Sequence, residues 1–383
     1  MRRQILTVLL TVMALTISAQ SEDKSKEGVK EKKVWLSTPK FSGYFIGTYN
    51  ANFQEGNESN VFNIRFLRLM LKGKILGEFE YTIQGQANGN TQELGSSPRI
   101  VDVNLEWQRY PFFRVKAGQQ KIPFTLENPM NPIDVGYYTL AQNVTSLSEF
   151  NDRSGSVSSN GRDIGVVFQG DFLADGAGRN QLHYEVGVFN GQGINQADVD
   201  QRKDIIGGIT YSPLKGLRFG IFGWEGSYAR KGLWTDREGV EHNGLKSLAR
   251  HRYALSAEYK DEDWQLRTEY IHHTGYGFKN RYQSKNEAKD AEVDWAAGDK
   301  ADGIYATVIA PIIPGKLRAK ARYDMYRPRG EWDTSCTRYD VGLNYLFHKN
   351  IEIQAQYTLV NDRSLEADHH NYSVLNAQLC VRF

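Results

Sequence analysis

The sequence predicts an all-β fold: a transmembrane, antiparallel, up-and-down β-barrel of about 16 strands. Three observations support this prediction. The chain begins with an export signal, apolar and polar residues alternate with period two over most of its length, and its connections alternate between tight and long. Bacterial single-chain barrels have an even number of strands, short periplasmic turns and longer extracellular loops.

The amino-terminal segment predicts export from the cytoplasm. Residues 1–19 have a basic start, an apolar run over residues 5–17 and small residues before the expected cleavage site, as a signal peptide does. Residues 20–40 carry many charges and few apolar groups, which is typical of a flexible leader in the periplasm. We expect residues 41–383 to form one barrel domain.

The composition excludes several classes of protein. After the signal, no apolar run approaches the roughly 20 residues that a membrane-spanning helix needs. The mean hydropathy of −0.55 is compatible with a barrel, because strands with one lipid face and one lumen face average to a polar value. Basic and acidic residues number 47 and 45, so nothing indicates a nucleic-acid partner. Two cysteines predict neither a disulfide framework nor a metal site, and no cofactor is expected.

The alternation is clearest in residues 316–326. One face carries Leu317, Ala319, Ala321, Tyr323 and Met325, and the other carries Arg318, Lys320, Arg322 and Asp324. An Arg or Lys that met lipid near the membrane centre would cost about 2–4 kcal/mol. The charged face must therefore point into the lumen.

The same pattern predicts sixteen strands. They begin near Phe41, Val61, Phe79, Ile100, Phe112, Arg162, Gln181, Lys203, Leu217, Arg252, Trp264, Gly303, Lys316, Thr337, Ile351 and Asn371. The long connections are residues 123–161, 191–202, 230–250 and 273–302. The phase slips near Phe66–Arg68, where we expect a β-bulge. The last strand places Leu375, Ala377, Leu379, Val381 and the terminal Phe383 on one apolar face.

The alternation also selects candidate functional residues. The basic side chains expected to line the pore are Arg114, Lys116, Arg267, Arg318, Lys320, Arg322 and Arg338. The longest loop, residues 123–161, is the candidate constriction, because a structureless loop of that length is usually functional. Its charged residues are Glu127, Asp134, Glu149, Asp152 and Arg153.

Four short motifs resemble the phosphate-selective porin family, the O and P porins, in the form found in Bacteroidetes. They are the stretch from Gly118 to Glu127, the Gly161-Arg162-Asp163-x-Gly165 entry to the sixth strand, the Asn190-Gly191-x-Gly193 turn and the arginine-rich segment from Ile64 to Gly73. The resemblance implies a sixteen-stranded homotrimeric channel in the outer membrane of a Gram-negative bacterium. It further implies that the long loop folds into the lumen and that basic residues guide anions.

The charge of the loop argues against phosphate specificity. Four carboxylates face one arginine before Gly161, and a phosphate-binding constriction would need the opposite balance. We therefore expect a water-filled channel for passive diffusion of small polar or anionic solutes, with outer-membrane lipid around it. The alternative is a structural or adhesive barrel with a closed lumen.

No catalytic site is expected. The histidine pairs His272–His273 and His369–His370 lie at strand ends, where the pattern indicates solvated rim residues. A barrel phospholipase would need a serine, a histidine and an orienting group together on the lipid face. The sequence therefore predicts that the protein is not an enzyme.

Overall fold

The computed structural model describes residues 35–87, 98–156, 158–280 and 291–383. The predicted signal peptide and residues 20–34 of the predicted leader lie outside these ranges. Sixteen strands, β1 to β16, follow in chain order: Lys40–Asn52, Ser59–Ile75, Phe79–Gln86, Arg99–Tyr110, Phe113–Lys121, Arg162–Ala174, Asn180–Phe189, Asp204–Leu214, Leu217–Thr235, Glu241–Asp261, Trp264–Thr274, Lys300–Ile313, Leu317–Arg327, Cys336–His348, Ile351–Asp362 and Asn371–Arg382.

The strands form one closed antiparallel barrel. Each strand pairs with its neighbours in sequence, and β1 closes the ring against β16. Fifteen strands begin within three residues of the predicted positions, so the predicted fold class and strand number are confirmed. Closure satisfies every edge, which a sheet in lipid requires because no water is present to bind free backbone groups.

The tenth strand is the exception to the predicted boundaries. The sequence analysis places a loop at residues 230–250, whereas β9 and β10 continue as a paired hairpin from Glu225–His251 up to Thr235–Glu241. The predicted loop is wrong because this part of the hairpin has few apolar residues to mark a lipid face. Its pairing rests on backbone hydrogen bonds, which an apolar pattern does not show.

The register confirms the inside and outside faces. Along β13 and β14, Tyr323 pairs with Tyr339 and Val341 with Ala321 on the outside, while Arg322 pairs with Asp340 on the inside. The expected bulge is also present. The pairing of β1 with β2 shifts between Phe66 and Ile64, which leaves Arg65 as the extra residue.

The carboxyl terminus completes the ring. The backbone of Phe383 forms two hydrogen bonds with Gly43, of 2.8 and 3.1 Å, one residue beyond the paired part of β16. The predicted apolar face of β16 points outward, and the Phe383 ring is half exposed on the barrel surface. The aromatic terminus therefore lies at the seam that holds the barrel closed.

Within the described ranges, helix is confined to the loops. A short α-helix, α1 (Gln142–Leu147), and a 3-10 turn, Pro132–Asp134, lie in the loop between β5 and β6, and a second 3-10 turn, Ala367–His369, precedes β16. None of the helices in these ranges is long and apolar enough to cross a membrane.

We predict that the two faces of β3 respond differently to a buried charge. Ile83 faces outward in the middle of the strand and Thr82 faces the lumen. Ile83→Arg should lower the free energy of unfolding in lipid vesicles by about 2–4 kcal/mol, because an arginine in lipid is poorly solvated. Thr82→Arg is the matched control, and its free energy of unfolding, measured by urea titration, should fall much less. Equal losses would contradict the assigned faces.

Candidate functional site

The loop between β5 and β6 lies inside the barrel. Its apolar residues Val135, Leu140, Val144 and Leu147 are buried against inward-facing side chains of the wall, such as Trp224. The Tyr137 hydroxyl donates to the carbonyls of Val308 at 2.9 Å and Ala321 at 2.6 Å. The loop thus packs on the β8–β13 side of the lumen as a second, apolar core.

Four loop carboxylates pair with arginines of the barrel wall. The pairs are Glu127–Arg267 at 3.6 Å, Asp134–Arg382 at 2.8 Å, Glu149–Arg250 at 3.0 Å and Asp152–Arg252 at 2.7 Å. The Glu149 and Asp152 pairs are fully buried. These contacts anchor the loop at points spread over its length.

These ion pairs show that the four carboxylates of the loop serve to anchor it to the barrel wall. The prediction against phosphate specificity treats the loop carboxylates as free charges, whereas all four contact wall arginines. A carboxylate and an arginine in a dry interface are attractive only when they are close and hydrogen-bonded to each other. The excess of acid in the loop is therefore neutralised by the wall.

The predicted pore-lining basic residues are mostly engaged in such pairs. Arg114 contacts Asp171 at 2.6 Å, Arg318 contacts Glu352 at 3.2 Å, Arg322 contacts Asp340 at 2.6 Å, and Arg267 also contacts Glu258 at 3.3 Å. Lys320 donates to the carbonyl of Gly136 in the loop at 3.0 Å. Arg267, Lys320 and Arg322 are buried.

Three further predicted residues and one histidine have other surroundings. Lys116 is half-buried on the inner face of β5, and Arg338 lines a cavity described below. Arg153 donates to several carbonyls of neighbouring extracellular loops, including Pro328 at 3.1 Å. His273 is fully buried and accepts from the Arg252 guanidinium at 3.0 Å, so the prediction of a solvated rim position is wrong for this residue.

A basic cluster that the sequence analysis did not select lies on the β2–β6 side of the lumen. It consists of Arg68, Arg99, Lys121 and Arg162, which are close enough to interact electrostatically. Asp102 is the one carboxylate of the described residues that pairs with it, through two 2.8 Å contacts with Arg162. We call these four cations the basic cluster.

Neutral groups hold the rest of the basic cluster in place. Arg68 donates to the Tyr44 hydroxyl at 3.0 Å, Arg99 to the Ser158 carbonyl at 2.9 Å and Lys121 to the Asn128 carbonyl at 2.7 Å. The Nε and Nη2 atoms of Arg99 are buried without a partner among the described residues. Three of the four residues fall in or beside the motifs that carry the family resemblance. That was the signal by which the cluster could have been found.

An apolar contact lies beside the basic cluster. Ile133, at the tip of the loop, is buried against Tyr44, Ile46, Phe66 and Cys380 of the opposite wall. A cavity of 480 Å³ lies on the extracellular side of this contact and one of 190 Å³ on the periplasmic side. We call the region between the two cavities the neck.

The neck has one charged side and one apolar side. The Arg68 guanidinium lies 4.6 Å from the ring centre of Phe66, which lines the extracellular cavity, and contacts Tyr44, which lines the periplasmic one. The region between the cavities is therefore bordered by Arg68 and by Ile133. This arrangement can select by charge and by size.

Burial and pairing set the pKa values of the loop carboxylates. Burial raises the pKa of Asp152, but the adjacent Arg252 guanidinium outweighs it, so the pKa lies below its usual range. For Glu149, burial and then the neighbouring Asp163 raise the pKa well above the usual range, against the effect of Arg250. Asp152 therefore holds its charge more firmly than Glu149 does.

Comparison with known families supports the resemblance. Residues 42–214 match the model of the family described as phosphate-selective porin O and P, which confirms the resemblance predicted from the short motifs. The Bacteroidetes form of the family stays a prediction. Comparison with curated proteins gave no match.

Solved porin structures share the fold. An anion-selective porin from Comamonas acidovorans aligns with a TM-score of 0.63 and 14% identity, over 91% of this chain and 100% of the other. OmpF from Salmonella typhi, in complex with daunomycin, aligns with a TM-score of 0.61 and 12% identity, over 90% of this chain and 97% of the other. The trimer form of OmpT from Vibrio cholerae aligns with a TM-score of 0.55 and 12% identity, over 91% of this chain and 99% of the other. At these identities the likeness shows the fold.

The barrel, the family match and the shared fold together indicate an outer-membrane protein of a Gram-negative bacterium. They also indicate a channel rather than an enzyme. The geometry adds the loop inside the lumen and the neck that it forms with the wall. The solute and its path are the subject of the proposal below.

We predict that the contact of Asp152 with Arg252 stabilises the barrel in a pH-dependent way. Because the folded pKa is depressed, this stabilisation is present above the unfolded pKa of about 3.9 and is lost as the pH falls toward the folded value. At pH 7, Asp152→Asn should lower the free energy of unfolding by roughly 3–5 kcal/mol, since Arg252 stays buried without its partner.

The difference between wild type and Asp152→Asn should shrink below about pH 4. Urea titrations in lipid vesicles at several pH values measure this difference in the free energy of unfolding. Asp333→Asn is the matched control, because Asp333 is exposed in the connection between β13 and β14. A difference that does not depend on pH would contradict the assignment.

Proposed function

We propose that this porin-like barrel is a passive channel for small polar solutes with a preference for anions. The observation that carries the proposal is the neck between the 480 and 190 Å³ cavities, where Arg68 of the basic cluster contacts Phe66 and Tyr44. One carboxylate of the described residues, Asp102, pairs with the four basic residues, through Arg162. The family match and the fold support a channel, and the charge of the neck supports the preference for anions.

The physical argument rests on the low polarity of the neck. Arg68 and Arg162 are almost fully buried, so water screens their charge poorly. An anion that enters the neck gains from this excess of positive charge, whereas a cation is repelled. The anion must also leave the neck, so its binding must be weak. Arg68 and Lys121 already donate to the neutral Tyr44 hydroxyl and Asn128 carbonyl, which leaves fewer of their donors for an anion.

The acidic loop does not oppose this proposal. Its four paired carboxylates contribute to anchoring, as the contacts of Glu149 with Arg250 and Asp152 with Arg252 illustrate. Phosphate is one anion among those that the neck could pass. The name of the Comamonas acidovorans structure describes that protein as anion-selective, which is consistent with the same fold serving anions here.

We further propose a homotrimer surrounded by outer-membrane lipid. The outer face of β1 carries Phe45 and Tyr49, and the paired outer face of β16 carries Ala377, Leu379 and Val381, so this side of the barrel is largely apolar. The trimer form of OmpT shows that such a fold can assemble in this way.

A barrel with a closed lumen is the second candidate. The contact of Ile133 with Phe66 and Tyr44 favours it, because an apolar constriction excludes water. A planar lipid bilayer separates the two functions. Stepwise conductance of the purified protein supports a channel, and its absence supports the closed barrel.

We predict that Arg68→Gln shifts the reversal potential in a salt gradient toward preference for cations. The variant removes one positive charge from the neck and keeps a side chain that can donate to Tyr44. Arg109→Gln removes the same charge from an exposed periplasmic turn and should leave the reversal potential unchanged. A shift of equal size in both variants would show that the neck does not set selectivity.

We also predict that Ile133→Ala raises the single-channel conductance. Shortening this side chain opens the apolar contact with Phe66 and Cys380, and water can then fill the space. Ile209→Ala is the control, because Ile209 is exposed on the outer face of β8. An unchanged conductance in Ile133→Ala would place the limiting constriction elsewhere.

A further inference from the structure

The 480 Å³ cavity on the extracellular side of the neck has the features of a binding site. Its size lies within the range of small-molecule sites. Loop residues form one wall, and the other is formed by β2, β14 and the extracellular ends of neighbouring strands. Polar side chains, aromatic rings and charged groups all contribute to the lining.

Three lining side chains carry buried polar atoms without a partner among the described residues. They are Nδ2 and Oδ1 of Asn160, Oγ1 of Thr334 and Nε of Arg338. Asn160 is only 1% exposed, so bulk water does not solvate its amide. Buried polar groups in proteins are nearly always hydrogen-bonded, and a cluster of exceptions in one cavity indicates that another molecule supplies the partners.

The unpartnered atoms define the chemistry of that molecule. The Asn160 oxygen needs a donor, its nitrogen needs an acceptor, and the Thr334 hydroxyl can use either. Hydroxyl groups of a ligand satisfy both needs at once. The two ring side chains Phe150 and Tyr326 line the same cavity and offer apolar faces to a carbon skeleton.

The charges of the cavity indicate a single negative charge on the ligand. Arg65 and Arg338 line it together with Asp362, which gives a net charge of +1. Within the described residues, Asp324 is near enough to interact electrostatically with Arg338, but no carboxylate forms an ion pair with it, and a planar guanidinium suits a carboxylate. Inorganic phosphate fits less well, because Asp362 repels a dianion and most of the cavity would stay unfilled.

We propose that this cavity binds a small polyhydroxylated carboxylate, a sugar acid, before it enters the neck. Arg338 pairs with the carboxylate, Asn160 and Thr334 bind hydroxyls, and Phe150 and Tyr326 pack on the ring. The proposal rests on the proposed channel for the role of the site. Binding itself does not depend on conduction.

The test is calorimetric titration of the full-length protein in detergent with sodium glucuronate, glucose and sodium phosphate at equal ionic strength. Glucuronate should bind more tightly than either of the others. Arg338→Gln should weaken glucuronate binding at least about tenfold, because it removes a charge-assisted contact. The control variant Arg109→Gln changes an exposed residue on the periplasmic side, and it should bind glucuronate as tightly as the wild type does.

Two further variants keep the test informative if Arg338→Gln does not fold. Thr334→Val preserves the shape of the side chain, and Asn160→Gly suits the left-handed backbone at this position, where φ is 51°. Both should weaken glucuronate binding in a protein that still shows heat-dependent migration on a gel. Absence of glucuronate binding, equal binding of glucose or phosphate, or unchanged binding in all three variants would overturn the site.

The two proposals can fail separately. Protein that conducts ions in a bilayer but does not bind glucuronate overturns the sugar-acid site and leaves the channel intact. Protein that binds glucuronate but does not conduct overturns the channel and supports the site. Current blockade by glucuronate that is lost in Thr334→Val supports both.

Discussion

The pairing of loop carboxylates with wall arginines is the interaction on which the interior of this barrel depends. Together with the apolar core around Trp224, it holds a loop of almost forty residues inside a polar lumen. The buried contacts of Glu149 with Arg250 and Asp152 with Arg252 fix one half of the loop, and Asp134 with Arg382 fixes its tip. Buried pairs of this kind add little net stability but specify one position, because any other position leaves a charge unpaired.

Once the loop is fixed, the lumen acquires two unlike sides. Apolar loop residues pack on β8–β13 and fill that side, while the β2–β6 side keeps the basic cluster. Asp102 neutralises only part of its charge. The neck and both cavities follow from this division. A solute path, a charge preference and a binding cavity therefore share one cause, the anchoring of a single loop.

Several parts of the fold could be predicted from residues alone. The alternation in β13 forces Arg318 and Arg322 inward, because lipid penalises a charge far more than the lumen does. The same argument yields the strand number, the strand phase and a bulge near Phe66–Arg68, one residue from its observed position at Arg65. The alternation does not identify the extracellular half of the β9–β10 hairpin, from the Glu225–His251 pair to the Thr235–Glu241 pair. There both faces meet water or protein, so no apolar face marks the strand.

The candidate site could be predicted only in part. The sequence identified the long loop and the lumen-facing charges, since both follow from local pattern. It could not show that Arg322 pairs with Asp340, or that Arg99 has buried atoms without partners among the described residues, because partners come from distant strands and from the loop. By itself the sequence determined the barrel, through the cost of charge in lipid. Only the tertiary structure decided which charges remain available to a solute, because pairing in a closed lumen depends on where the loop lies.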